Sequence, residues 1–257
     1  MKWFKHLRTL YILNRHPIPH DIWHTLLQQG HLFKNLTSVE KAHLRELSTL
    51  FLHQKNFVAT REMELTHQMA TLLAAQACLP ILNLGLGYYD GWTDIIIYPA
   101  AFKTNRNITD SIGLVTHQEQ FLGGEAWSKG PVIISWDTAE ADLYHHRHGH
   151  NVVVHEFAHK LDMLNGSTNG MPPLHTNMIR QEWTKAFSEA FDHLQNQLER
   201  HHNPAINAYA ATSAAEFFAV CSEYFFTAPN KLHQQFPKVY EQLELFYRQD
   251  PKTRIRD

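Results

Sequence analysis

Hydrophobic and polar positions divide the chain into helical outer parts and a middle of short strands. Residues 37–40, Thr-Ser-Val-Glu, have the spacing of a capping box, and the apolar residues that follow recur at helical intervals. Residues 61–78 predict a second helix, which Pro80 would stop. The β-branched runs at 94–98 and 132–136 predict strands. Later helical patterns predict four more helices, at residues 150–164, about 177–200, 212–227 and 230–248.

The order of these elements predicts an α+β fold. Helices come first, a small sheet follows and helices return, whereas a parallel doubly wound sheet would alternate strand and helix. Residues 113–116 predict a further strand, and Gly123 with Gly124 indicates a turn or bulge. The first 36 residues carry no clear pattern. We therefore predict a poorly assigned segment at 1–36 and a single domain at 37–257.

Composition narrows the class of protein. The chain has 257 residues, of which 44% are hydrophobic, enough for a normal core, and a net charge of −2 argues against a general nucleic-acid binder. Neither the interrupted apolar region at 69–86 nor the short apolar patch near the N-terminus predicts a membrane span or a signal peptide, so we expect a cytoplasmic protein. Cys78 and Cys221 are too few for a disulfide framework or a Cys-type zinc site, and we expect both to be buried.

The most informative motif is His-Glu-Phe-Ala-His at residues 155–159, behind three valines. On a helix, His155 and His159 project from one face about one turn apart, which suits two nitrogen ligands of one zinc ion. Glu156 is rotated away from the His pair and can act as a general base towards a zinc-activated water. The motif predicts both a metal and hydrolytic chemistry.

Chance is a competing explanation, because the chain contains 20 His. An accidental match is expected roughly 0.1 times in a chain of this composition. The helically spaced apolar residues around the motif favour a real site, since a buried helix must satisfy its imidazoles and carboxylate and a metal does so. The His-rich tract at 145–150 has no fixed ligand spacing, and we interpret it as a solvated loop.

A catalytic zinc site needs a third protein ligand. A His six residues beyond His159 is excluded, because Asp162 and Asn165 stand where that pattern requires Gly and His. The alternative is a Glu from a later helix. Glu216 and Glu223 are seven residues apart and share a helix face, so one could ligate zinc while the other orients a His. Ser213 and Glu216 also fit a capping box, and spacing alone leaves both Glu residues open.

Seven separated segments carry a family resemblance, in the same order along the chain. They are Leu79–Leu82, Ile97–Pro99, Ile112–Val115, Gly130–Ile133, His155–Asp162, Ile206–Phe226 and Phe246–Pro251. From about residue 40 to the end, the chain resembles the Mlc titration factor A family of bacterial zinc peptidases. The resemblance implies a mainly helical, zincin-like (gluzincin) metallopeptidase with a small mixed sheet beside the active-site helix. It also implies one zinc ion per chain and a peptide or protein substrate.

The same resemblance implies roles for individual residues. The catalytic pattern is also similar to the protease domain of anthrax lethal factor, where a Tyr precedes the ligand Glu by seven residues, as Tyr209 precedes Glu216 here. The implied zinc ligands are His155, His159 and Glu216, with Glu156 as general base and Tyr209 as oxyanion donor. Some family members carry a further His after the Gly-Leu-Val segment. Thr116 occupies that position here, so a fourth ligand would have to be His117, and a lone His is more often structural.

Three functions are compatible with these residues. In the first, a peptidase, zinc activates water, Glu156 transfers its proton and Tyr209 stabilises the oxyanion. Its substrate would join a sheet edge at 116–120 or 132–136, and the choice between aminopeptidase and endopeptidase stays open. The second, implied by the family name, is a binding module that sequesters the Mlc glucose repressor without contacting DNA or membrane itself. The third, a purely structural zinc site, does not explain Glu156.

Overall fold

The computed structural model describes residues 2–254 except 62, 110–114, 123, 127–129 and 146, and it describes side chains for these residues apart from 2–5, 102–122 and 125. The helices are α1 Lys2–Arg15, α2 His20–Gln29, α3 Ser38–Gln54, α4 His67–Cys78, α5 Trp136–Tyr144, α6 Val152–Asp162, α7 Arg180–Glu199, α8 Ala214–Thr227, α9 Pro229–Gln235 and α10 Pro237–Tyr247. The strands are β1 Asn56–Ala59, β2 Asp94–Tyr98, β3 Phe102–Thr109, β4 Val115–Leu122, β5 Gly124–Ala126 and β6 Val132–Ser135.

The central sheet is small and mixed. Its strand order is β1-β2-β6-β5, in which β1, β2 and β6 are parallel and β5 lies antiparallel at the edge, with Gly124 opposite Ile134. Strands β3 and β4 form a separate antiparallel pair. These elements confirm the predicted α+β fold, mainly helical with a small mixed sheet. The suggestion that 132–136 could offer a free edge is wrong, because β6 lies between β2 and β5.

Helix α6 lies inside the hydrophobic core. Val153, Val154, Ala158 and Leu161 have no exposed surface, and Phe157 packs against an aromatic group formed by Phe51, Tyr89 and Trp92. Polar side chains on such a helix must find partners within the protein, since water does not reach most of them. The core therefore fixes the position of the His-Glu-Phe-Ala-His motif.

Two predicted helices differ from the observed ones. The helix predicted from residue 61 begins at His67, after an N-cap in which the Thr66 side chain accepts from the Met69 amide. The helix predicted at 230–248 is divided, because Pro237 starts α10 and has no N–H with which to continue α9. The capping box at Thr37 is confirmed, with both reciprocal hydrogen bonds to Glu40 present.

The N-terminal segment contains the helices α1 and α2. Trp23 and Leu26 of α2 and the nearby Phe33 are buried in the main core. The division into 1–36 and 37–257 stays a prediction. Cys78 and Cys221 are buried free thiols, as expected. None of the described helices is both long enough and apolar enough to cross a bilayer, and the cytoplasmic location stays a prediction.

Candidate metal centre

Helices α6 and α8 pack against each other, and each begins at a side-chain cap. Asn151 precedes α6, and its Oδ1 accepts a hydrogen bond from the Val154 amide at 2.8 Å. Ser213 precedes α8, and its hydroxyl accepts from the Glu216 amide at 3.2 Å. These caps fix where each helix begins, and hence which side chains face each other across the contact.

Three side chains converge between these helices. The Nε2 atoms of His155 and His159 are 3.2 Å apart, and Glu216 Oε2 lies 3.0 Å from the first and 3.3 Å from the second. All three candidate ligand atoms lie within 4.8 Å of one another. Two imidazole nitrogens and one carboxylate oxygen form the donor set of many catalytic zinc sites, so these residues fit a zinc ion. The amide of Glu216 joins the helix cap while its carboxylate turns to the imidazoles, so its place at the helix start does not prevent it from facing a metal, and its role as a ligand stays a prediction.

Glu223 contacts the other side of His155. Its Oε1 lies 2.7 Å from His155 Nδ1, and its Oε2 accepts from the Asn151 amide at 2.6 Å. The Asn151 side chain donates in turn to Gln76 Oε1 at 2.7 Å, so the carboxylate is held in a buried network. When His155 donates from Nδ1 to Glu223, its Nε2 keeps the lone pair that a metal requires. The structure thus brings Glu216 and Glu223 to different nitrogens of His155.

The charges in this cluster stabilise one another. Burial lowers the pKa of His155, but the Glu223 and Glu216 carboxylates outweigh it and hold that pKa well above its ordinary value. Burial raises the pKa of Glu216, but hydrogen bonds with His155 and His159 hold it far below its ordinary value. The cluster therefore keeps Glu216 ionised, which is the state that ligates a metal.

Glu156 is buried beside this cluster and is 4% exposed. Its Oε2 has no hydrogen-bond partner among the described residues. Burial raises the pKa of Glu156 to about 7, against the opposing charges of His155 and His159. A carboxylate with a pKa near neutrality can both accept and return a proton. A Cβ on Gly124 would lie 2.5 Å from Glu156 Cγ, so the backbone of the edge strand β5 passes directly against this side chain.

Tyr209 lies on the same cavity, which has a volume of about 480 Å³ and is also lined by His155, Glu156 and Glu216. Its short 3-10 helix, Ala208–Ala211, is capped by Asn207, whose side chain accepts from the Tyr209 amide at 3.0 Å. The centre of the Tyr209 ring is 6.1 Å from that of the His155 ring. The structure therefore brings all five predicted site residues to one cavity.

The possible fourth ligand is not placed. Thr116 and His117 belong to β4, where they pair with Ile108 and Asn107 of β3. Their side chains lie outside the part of the chain whose side chains are described. A metal-ligating role for His117 stays a prediction.

His150 and Asp142 lie at or near the cavity, although no local sequence pattern singles them out. The loop prediction for 145–150 agrees with the exposure of His145 and His148, but His150 lines the cavity. His150 Nδ1 lies 2.9 Å from the buried carboxylate of Asp142. The composition of the tract does not distinguish His150 from the other His residues in it. His150 is recognised by its contact with Asp142, which exists only in the folded protein.

The chain matches known proteins over most of its length. The family model for glucose-regulated metallo-peptidase M90 matches residues 2–248, a range that contains every candidate site residue. Mlc titration factor A of Salmonella arizonae (strain ATCC BAA-731 / CDC346-86 / RSK2980) is 39% identical over 232 residues, which cover 88% of this chain and 90% of that protein. Mlc titration factor A of Salmonella typhi is 40% identical over 229 residues, which cover 88% of this chain and 85% of the relative.

Proposed function

Because the chain belongs to the glucose-regulated metallo-peptidase M90 family, we propose that it is a zinc-dependent peptidase that hydrolyses peptide bonds in the cavity between α6 and α8. The observation that carries the proposal is the Glu156 carboxylate. It is buried, its Oε2 has no partner among the described residues, and it lies beside a His-His-Glu cluster. A buried acidic oxygen without a partner is costly in a purely structural site.

His155, His159 and Glu216 would hold one zinc ion, through Nε2, Nε2 and Oε2 respectively. The donor set and the short distances between these atoms support this assignment. A zinc ion held there would acidify a water molecule and polarise the carbonyl of the scissile bond.

The chain's own residues supply the remaining steps. Glu156 accepts a proton from the attacking water and returns it to the leaving amine, for which a pKa of about 7 is suitable. The Tyr209 hydroxyl donates a hydrogen bond to the oxyanion, as its place on the cavity supports. A peptide adds to the edge strand β5, whose Gly124 places the main chain of that strand beside Glu156.

The test is a Glu156→Gln variant beside wild type, with zinc content and hydrolysis of a peptide library measured together. We expect zinc to remain at one ion per chain while activity falls roughly 10²–10⁴-fold, because the proton acceptor is lost. Tyr209→Phe should also keep zinc and lower kcat, since only the oxyanion donor is removed. Full activity of Glu156→Gln would contradict the mechanism. Library peptides with free and with blocked amino termini distinguish aminopeptidase from endopeptidase activity.

The name of the relatives, Mlc titration factor A, favours a second candidate function, namely binding of the Mlc repressor. The aromatic side chains of the C-terminal helices are all buried, so they are not exposed for a partner: Phe225, Phe226, Phe236, Tyr240, Phe246 and Tyr247. A binding surface would therefore use other residues. Capture of purified Mlc by wild type and by Glu156→Gln alike would support binding independent of catalysis, and no capture by either would contradict it.

A further inference from the structure

Among the described residues of the loop between α5 and α6, His150 lines the cavity. The cavity is lined there by Thr138 of α5, His150 and Val152 of α6. The His150 side chain is 41% exposed, so it can contact a bound molecule. His145, in the same loop, is exposed but does not line the cavity.

The His150 ring is held by Asp142, and the backbone that precedes it packs closely on Tyr224. Its Nδ1 lies 2.9 Å from Asp142 Oδ1, and the Asp142 side chain is completely buried. Asp142 Oδ2 accepts from the Val152 amide at 2.9 Å, which anchors the carboxylate to the start of α6. The preceding Gly149 packs so closely on the Tyr224 ring that a Cβ would lie 2.1 Å from it. With Nδ1 committed to Asp142, Nε2 is the ring nitrogen that remains for a ligand.

Two basic side chains, His150 and Arg147, contact the Asp142 carboxylate at this end of the cavity. The Arg147 guanidinium lies 3.6 Å from the same Asp142 Oδ1 that contacts His150. The hydrogen bond with Asp142 raises the pKa of His150 against the opposing effect of burial, which favours the doubly protonated ring. Glu223, whose charge also raises the pKa of His150, contacts His155 and Asn151.

The edge strand β5 and His150 line the same cavity. Gly124 contacts Glu156 and pairs with Ile134 of β6, whereas Ala126 pairs with Val132 at the start of that strand. Strand β6 leads directly into α5, which carries Thr138 and Asp142. A peptide added to β5 would lie in the same cavity as His150, because Gly124, Ala126 and His150 all line it.

We propose that His150, oriented by Asp142, binds a carboxylate group of the substrate on one side of the scissile bond. This carboxylate is either the free C-terminus of the peptide or an Asp or Glu side chain. The proposal rests on the proposed peptidase function, whose substrate class it names. The recognition is a charge-assisted hydrogen bond from Nε2, with Arg147 adding positive charge nearby.

The experiment uses two octapeptide libraries of the same random sequences, one with free C-terminal carboxylates and one with amides. Zinc-loaded wild type, His150→Gln and the matched loop control His145→Gln are compared. We expect wild type to prefer carboxylate-bearing peptides. His150→Gln should lose that preference, with KM raised about tenfold or more and kcat nearly unchanged. His145→Gln should behave as wild type, and all three proteins should hold equal zinc.

The two libraries separate the sources of the carboxylate. Faster cleavage of the free-acid library indicates the C-terminus, whereas Asp or Glu enriched at a fixed distance from the cut in both libraries indicates a side chain. Arg147→Gln changes an exposed side chain, and we expect it to raise KM by a smaller factor. It provides a second variant if His150→Gln does not fold.

Two results would overturn the proposal: a wild type with no carboxylate preference, or an unchanged preference in His150→Gln. If wild type cleaves neither library, the proposed peptidase function fails separately. Binding is then measured as retention of both libraries on immobilised Glu156→Gln protein. Carboxylate-dependent retention by Glu156→Gln that is lost in the double variant Glu156→Gln, His150→Gln supports recognition without hydrolysis. Retention without carboxylate dependence overturns the proposal.

Discussion

Helix α6 contributes buried charged side chains to two neighbouring groups, and the protein treats the groups differently. In one group, Lys160 Nζ donates to the Gly130 carbonyl at 2.8 Å and lies 4.5 Å from the Trp92 ring centre. Lys55 Nζ, 3.6 Å from the same ring, donates to the Tyr89 and Trp92 carbonyls at 2.5 and 2.6 Å. We call Lys55, Lys160 and Trp92 the lysine cluster.

At the candidate metal centre, the network is incomplete. Glu156 Oε2 and His159 Nδ1 have no hydrogen-bond partner among the described residues, although both atoms are buried. Native proteins rarely leave buried polar atoms unpaired, and the exceptions concentrate where a ligand or a reaction completes the set. The lysine cluster has the character of a structural element, whereas the candidate metal centre has the character of a site.

The largest effect is expected from removing Glu216. Glu216→Ala takes away the one carboxylate oxygen that faces both Nε2 atoms. We expect zinc affinity to fall by more than the roughly 10–100-fold typical of losing an outer hydrogen-bond partner. Competition with a chelator measures the zinc dissociation constant, and Glu189→Ala is a surface control, since Glu189 is 60% exposed. Unchanged affinity would show that Glu216 is not a ligand.

A smaller loss is expected at Glu223. Glu223→Gln keeps an oxygen for the Asn151 amide but removes the charge that faces His155 Nδ1. Zinc affinity should fall roughly 10–100-fold, because His155 becomes a weaker and less well oriented ligand. The same chelator competition applies. A larger loss for Glu223→Gln than for Glu216→Ala would reverse the roles assigned to the two carboxylates.

The smallest effect is expected in the lysine cluster and concerns stability alone. Burial lowers the pKa of Lys55 and of Lys160 to about 8, from 10.5. Between pH 8 and 10.5 the unfolded chain therefore binds more protons than the folded protein, so these lysines make the free energy of unfolding rise with pH. The free energy of unfolding, measured with urea at pH 8 and pH 10, should increase more with pH in wild type than in Lys55→Met. Equal slopes would mean that Lys55 is not desolvated.

Local sequence signals predicted the elements that short-range physics determines. The capping box at Thr37 and the helical spacing around His155 depend on neighbours within a few residues, and both elements form as expected. Strand β1 was missed because four residues give little periodicity, and its partner Asp94–Tyr98 lies far along the chain. The edge strand β5 is shorter still, with three residues.

The candidate site divides in the same way. His155, Glu156 and His159 belong to one helix, so their spacing in the sequence directly predicts which of them share a face. Glu216 and Glu223 share a helix face, so spacing cannot decide which nitrogen of His155 each one meets. That depends on how far α8 is shifted along α6, which is set by the packing of many apolar side chains. His150 depends in the same way on Asp142, which belongs to another helix.

The edge of the sheet has no room for a side chain at Gly124. Because even a methyl group there would overlap the Glu156 side chain, the room for the proposed proton acceptor depends on a residue that has no side-chain atoms. Loss of function can therefore arise without any change in the metal-binding motif. A chain of this family that keeps both His and the Glu but carries a larger residue opposite Ile134 should be suspected of being an inactive relative, whatever its motif suggests.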